Sequence, residues 1–228
     1  MSKNVLSHPI DFSSLPRKKR ALVKTLRTQH DLLSLKILVV SGSTINETAE
    51  YLELFLLNIG IKPIIKLGNF NRYYEELIFP SDELLKFNPE VIYIHSSAYN
   101  IKTWPELTDP TSRVEELISN ELSKYNEIFV AIKNKFRATV VVNNFEFQKT
   151  TPGGHWETTA PGGSVRFISK LNEKFVELVS SFANVQVHDL NHFANYIGLK
   201  KFHSTRDFFS SHSVVAHEYL PEFAYSVV

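Results

Sequence analysis

Two hydrophobic periods alternate along the chain. Leu15, Leu22, Val23, Leu26, Leu32 and Leu33 recur at helical spacing among Arg17, Lys18, Lys19, Arg20, Lys24 and Arg27. That pattern predicts a leading amphipathic helix with a basic, solvated face, or a docking surface for an acidic partner. At Lys36 the period changes. Ile37-Leu38-Val39-Val40 is a short, continuous, largely β-branched run, the pattern of a strand buried on both faces. Ser41-Gly42-Ser43-Thr44 follows as a turn. Ala49, Leu52, Leu56 and Leu57 then line one face of a helix that Gly60 stops. Further strands are predicted at 61–67, 91–94, 139–142 and 185–187. Helices are predicted at 73–87 (broken near Pro80-Ser81), 114–133, 163–182 and 217–228. Residues 150–164, with Pro152-Gly153-Gly154 and Pro161-Gly162-Gly163, form a long loop expected to be mobile and to lie over or beside the functional site.

Strands separated by helices imply right-handed crossovers and a parallel sheet. The expectation is a three-layer α/β/α domain over 36–228 with a five-stranded, mostly parallel sheet, preceded by a helical extension over 1–35. In such sheets ligands bind outside the carboxyl ends of the strands. Candidate chemistry therefore sits at 41–46, 68–71, 95–100, 143–147 and in the last loop.

Composition narrows the function classes. Hydrophobic residues are 43% and charged residues 21%, so most of the chain should fold. The formal net charge is +1, the basic residues concentrate in one helix, and no basic-aromatic interleaving occurs, so no nucleic-acid partner is expected. No apolar run reaches the ~18–20 residues of a membrane helix. The polar start, Met1-Ser2-Lys3-Asn4, lacks a signal-peptide core, and with no cysteine the expected location is cytoplasmic. Zero cysteines exclude disulfides, thiolate zinc sites and a cysteine nucleophile. His188, Asp189, His192 and His203 form a loose cluster whose spacing fits no zinc pattern, and no metal or other cofactor is expected.

Ser43 is the leading candidate residue. A serine between a buried strand and a helix lies where backbone N–H groups converge, which suits a nucleophile with an oxyanion hole or a phosphate site. The plainer alternative is that Ser43 or Thr44 caps the helix. His212 is the candidate base and His95 its substitute. Asn100, Asn143 and Asn144 are strand-end amides that suit either oxyanion binding or turns. Asp189 before a helix is read as an N-cap. Trp104 and Trp156 flank the site, stacking on a ligand or anchoring their loops.

These positions carry a resemblance. Lys36-Ile37-Leu38-Val39-Val40-Ser41-Gly42-Ser43 resembles the opening block of SGNH (GDSL-type) hydrolases, in which a strand runs into Gly-Asp-Ser and the serine is the nucleophile. Ser43 takes the serine position, Gly42 the aspartate and Ser41 the glycine. Gly68 matches the second-block glycine. Ser97-Ala98-Tyr99-Asn100 stands at the Gly-X-Asn-Asp block with the asparagine displaced by one. His212 matches the last histidine, while Phe209 occupies the place of its aspartate and Asp207 lies two residues earlier.

A closer resemblance, over nearly the whole chain, is to the SGNH-like amino-terminal domain of FkbH-like (HAD-IIIC) proteins. It is carried by Gly42-Ser43-Thr44-Ile45-Asn46-Glu47, residues 54–61, Tyr73-Tyr74-Glu75, Tyr93-Ile94-His95, Val142-Asn143-Asn144-Phe145-Glu146 and residues 167–172. It implies an SGNH/flavodoxin-like fold and association with a HAD-family domain or an acyl carrier protein. The HAD Asp-X-Asp-X-Thr motif does not occur in these 228 residues. Two functions follow. In the first, an SGNH-type hydrolase or acyltransferase acts on a small ester or thioester, with Ser43 as nucleophile and His212 as base. Gly68, Asn100, Asn143, His95 and Thr44 then supply oxyanion or substrate contacts. In the second, a catalytically degenerate SGNH-fold module docks or binds substrate for a HAD domain or carrier protein. The departures at Ser41, Gly42, Tyr99 and Phe209 favour the second, and the retained Ser43, Gly68 and His212 favour the first, which is the leading expectation.

Overall fold

The structure, a computed structural model, describes Leu6 and residues 8–228. Its first half contains α1 (Leu15–Arg27), β1 (Leu33–Ser41), α2 (Asn46–Asn58), β2 (Ile61–Leu67), α3 (Tyr73–Ile78), α4 (Asp82–Phe87), β3 (Val91–His95) and α5 (Thr111–Lys135). The second half contains β4 (Thr139–Asn143), α6 (Trp156–Thr159), α7 (Ser164–Ser180), β5 (Val185–His188), α8 (Leu190–Ile197), α9 (Leu199–Phe202), α10 (Thr205–Ser211) and α11 (Leu220–Val227). No helix among the described residues is long and apolar enough to cross a membrane.

The strands form one sheet in the order β2-β1-β3-β4-β5, every pair parallel. The connection after β1 runs to one side and the next crosses to the other. The switch point therefore falls between β1 and β3, where a crevice opens beyond the carboxyl ends. Successive β1 residues serve opposite faces, as strand pleating requires. Leu38 and Val40 join a core with α3, α5 and α7, while Ile37 and Val39 join one with α1, α2, α8 and α11. Tyr125, Phe145 and Phe175 meet edge to face at 5.0–5.7 Å in the first core. Both faces of the sheet are covered, which is why the strands appear in the sequence as unbroken apolar runs.

Three details differ from the sequence expectation. Helix α1 ends at Arg27, and β1 begins at Leu33, three residues before the change of period. Leu33 pairs with Ile61, so it is the ladder to β2 that recruits this residue into the sheet. The basic face of α1 is not wholly solvated: Lys19 is buried, ion-paired with Glu50, its ammonium 4.2 Å from the centre of the Tyr51 ring. Residues 150–164 do not form an open flap. The buried Glu157 carboxylate accepts the N–H groups of Gly153 (2.9 Å) and Ser164 (2.8 Å), knitting the segment around α6. A Cβ at Gly162 would lie 1.8 Å from the Glu106 carbonyl oxygen, so this glycine permits close backbone approach.

Candidate functional site

The turn after β1 stands at the switch point, as the strand order requires. Ser43, Thr44, Gly68 and His212 line one cavity of about 350 Å³, together with Ser41, Asn69 and Phe70. No residue of 150–164 lines it. Neither Ser43 nor Thr44 caps α2. The N-cap position is Ile45, and no side chain caps that helix end. The capping alternative for Ser43 therefore falls, and among the described residues its hydroxyl has one hydrogen-bond partner, Ser41 Oγ at 3.5 Å.

The backbone donors of the turn are committed. Gly42 N–H donates to the His95 carbonyl (3.1 Å), and Thr44 N–H to the His212 carbonyl (3.1 Å). Ser43 N–H donates to Ser41 Oγ at 2.9 Å, and the Ser41 hydroxyl donates to the Ser43 carbonyl. Gly68 was expected to aim its N–H into the cavity; instead it donates to the Val39 carbonyl at 2.8 Å, continuing the β1–β2 ladder. A Cβ at Gly68 would lie 2.3 Å from Glu76 Oε2, so close packing accounts for this glycine.

His212 is placed near Ser43 by its backbone rather than its ring. It ends α10 in the left-handed region (φ 54°), its N–H bonds to the Phe208 carbonyl, and its carbonyl accepts Thr44 N–H. The ring lies between Phe70 and Phe208, with centroids 5.6 and 6.0 Å away, and no hydrogen bond joins it to Ser43. No carboxylate orients it. Phe209 is 76% exposed, and Asp207 accepts the N–H of His217 at 3.0 Å.

The remaining expected residues lie elsewhere. Asn100 Nδ2 donates to the Gly42 carbonyl (3.0 Å) while Oδ1 accepts Ser97 N–H (3.0 Å). Asn100 packs so closely that a Cβ at Gly42 would overlap its amide, and it borders a separate cavity of about 580 Å³ with Asn71 and Lys102. His95 and Asn143 belong to a buried network. Asn143 Nδ2 donates to His95 Nδ1 and to the Ser96 carbonyl, both at 3.0 Å. Asn143 Oδ1 accepts from Tyr93 Oη and from His188 Nδ1, also at 3.0 Å. His95 Nδ1 thus acts as an acceptor and its ring proton sits on Nε2. Burial, reinforced by His188, pushes the His95 pKa down to about 3, and burial takes His188 down to about 4. Both rings are neutral structural groups. His95 cannot replace His212 as base for Ser43, because its ring does not line that cavity.

Asp189 does cap α8, accepting His192 N–H at 2.9 Å and Asn144 Nδ2 at 2.8 Å. Trp104 anchors its loop against Phe167 at 5.5 Å, whereas Trp156 is exposed beside His155. Among the described residues no three His, Asp or Glu side chains converge as metal ligands.

Comparison of the sequence identifies the family. Residues 56–228 match the family described as FkbH, N-terminal domain. The chain belongs to that family. No curated protein matches it in sequence. Among solved structures it is similar to the N-terminal part of protein BF1531 from Bacteroides fragilis, a structure containing a phosphatase domain complexed with Mg. The TM-score is 0.76 at 13% identity, over 91% of this chain and 54% of that one, so the chain spans about half of its neighbour. An acetyl xylan esterase, AlAXEase, is similar with a TM-score of 0.50 at 12% identity, covering 84% of this chain and 97% of the esterase. At these identities the likeness is one of fold.

Sequence reasoning missed two features of this FkbH N-terminal domain. The first is the Ser41 side chain, whose Oγ accepts Ser43 N–H and so occupies that donor; its signal was the serine standing where the SGNH block has glycine. The second is Glu146. Its Oε2 accepts Ala98 N–H at 3.0 Å, but Oε1 is buried without a partner. Burial pushes its pKa up to about 7. A glutamate following an aromatic after a strand carries no pattern that distinguishes it from a solvated one.

Proposed function

We propose that this chain is an SGNH-fold module that binds or docks rather than hydrolyses, serving a HAD-type phosphatase domain or an acyl carrier protein. The observation that carries this reading is the state of the serine turn. Acyl transfer needs preorganised donors aimed at the developing oxyanion, each worth roughly 10²–10³ in rate. Here the expected donors, Ser43 N–H, Gly68 N–H and Asn100 Nδ2, are all bonded within the chain. His212 also lacks the acid that would orient it, a defect worth about 10⁴ in a triad. The cavity of about 350 Å³ still suits a small acyl group. The phosphatase domain present in the BF1531 structure supports the partner part of the reading.

A second reading, an SGNH-type hydrolase or acyltransferase acting on an ester or thioester, is favoured by the single cavity that Ser43 and His212 share. Hydrolysis of p-nitrophenyl acetate and of a short-chain acyl thioester separates the two. Wild type, Ser43→Ala and His212→Ala are all expected to match buffer. Turnover by wild type that disappears in Ser43→Ala would overturn the docking reading in favour of the hydrolase.

A further inference from the structure

Helix α10 has seven residues, so its ends lie about 10 Å apart. His212 and the Ser43 cavity are at one end. The other end borders a separate cavity of about 710 Å³. Four cations line it, Lys149, Lys200, Lys201 and Arg206, against two carboxylates, Asp207 and Glu218. Asp207 accepts His217 N–H and offsets part of the Arg206 charge, leaving the cavity with an excess of cations. Lys149 Nζ is held at the cavity by the His203 carbonyl (3.3 Å) and Thr205 Oγ1 (3.4 Å). Lys200, Lys201 and Arg206 form no ion pair among the described residues. His203 also lines the cavity and is only 4% exposed. Its Nε2–H donates to the Phe147 carbonyl at 3.0 Å, so Nδ1 is a buried acceptor, without a partner among the described residues, and the ring serves as a neutral wall rather than an anion donor.

Like charges gathered around a concavity repel one another and draw an anion into it. A carboxylate, with one charge and two oxygens, answers little of this field. A phosphate monoester brings close to two charges and three acceptor oxygens. Arg206 and the lysines give it charge-assisted donors. We propose that this cavity binds the phosphate group of a small phosphate ester, held by Lys149, Lys200, Lys201 and Arg206. The site is distinct from the Ser43 cavity and does not depend on whether that cavity is catalytic.

The test uses the whole chain, ¹⁵N-labelled, titrated with inorganic phosphate at pH 7.5 and constant ionic strength, with chloride as the matched control. Saturable shifts are expected at the amides of Lys200, Lys201, Thr205 and Arg206, absent with chloride. Lys200→Glu combined with Lys201→Glu, both on exposed side chains, is expected to raise the Kd for phosphate at least ~10-fold without lowering the melting temperature. Glycerol 3-phosphate is expected to compete for the same resonances. Shifts that do not saturate, shifts that chloride reproduces, or an unchanged Kd in the double variant would overturn the site. Failure of glycerol 3-phosphate to compete would overturn its assignment to a phosphate ester.

Discussion

The two ends of α10 differ in how far the fold satisfies its own polar groups. At the His212 end, every N–H of the serine turn has an intramolecular acceptor, and the Ser41 hydroxyl oxygen takes the Ser43 N–H that an oxyanion would need. At the Ser204 end, Lys200 and Lys201 are exposed beside a concavity and form no ion pair among the described residues. Pairing at one end and its absence at the other is informative. In the reading proposed above, the chain itself closes the end that matches a hydrolase motif and leaves the other open to an anion. Between them Tyr99 stacks on Phe208 at 4.5 Å, so the two cavities share one helix and one aromatic contact.

The strongest way to break this contrast is to reopen the closed end. Ser41→Gly frees Ser43 N–H, and Phe209→Asp places a carboxylate three residues before His212. The double variant is expected to hydrolyse p-nitrophenyl acetate at least ~10²-fold above the buffer rate that wild type matches, the scale of one recovered oxyanion donor. If it stays silent, Ser41 is not what closes the site.

Glu146, whose buried Oε1 has no partner among the described residues, gives the next effect. Its folded pKa of about 7 lies above the ordinary 4.5. Between these values the folded protein holds a proton that the unfolded chain has lost. The stability this group contributes is therefore complete below pH 4.5 and lost as pH rises through about 7, by about 3 kcal/mol in total. Glu146→Gln copies the protonated shape and has nothing to lose. Urea unfolding across pH 4.5–8 should show wild type falling behind the variant up to pH ~7, then a constant gap. His95 and His188 act oppositely: their folded pKa values are depressed, so stability falls as pH drops below their ordinary 6.5. That term is common to both proteins and cancels in the difference. A gap independent of pH would show that Glu146 is ionised throughout the range.

The smallest effect sharpens the contrast at Ser43. Because its hydroxyl caps nothing, Ser43→Ala should change stability by no more than ~0.5 kcal/mol, measured by thermal unfolding. A loss above ~1 kcal/mol would return Ser43 to a structural role.

The order and type of the main elements were legible in the sequence. A strand covered on both faces shows as an unbroken apolar run, as in Ile37 to Val40, and a helix laid on a sheet must repeat its apolar positions every three to four residues. The same local logic located the Asp189 cap and the serine turn beyond β1. Partners were not legible. Whether Ser43 N–H points at a ligand or at Ser41 Oγ depends on one side-chain rotamer, and whether His95 is a base or a structural acceptor depends on Asn143, 48 residues away. The start of β1 depended on Ile61, and the cationic cavity on bringing Lys149 beside Lys200, Lys201 and Arg206. Local periodicity follows from which face of an element meets the core, and the sequence alone carries that. Hydrogen-bond satisfaction and charge clustering follow from which distant residues meet, and only the tertiary structure decided them.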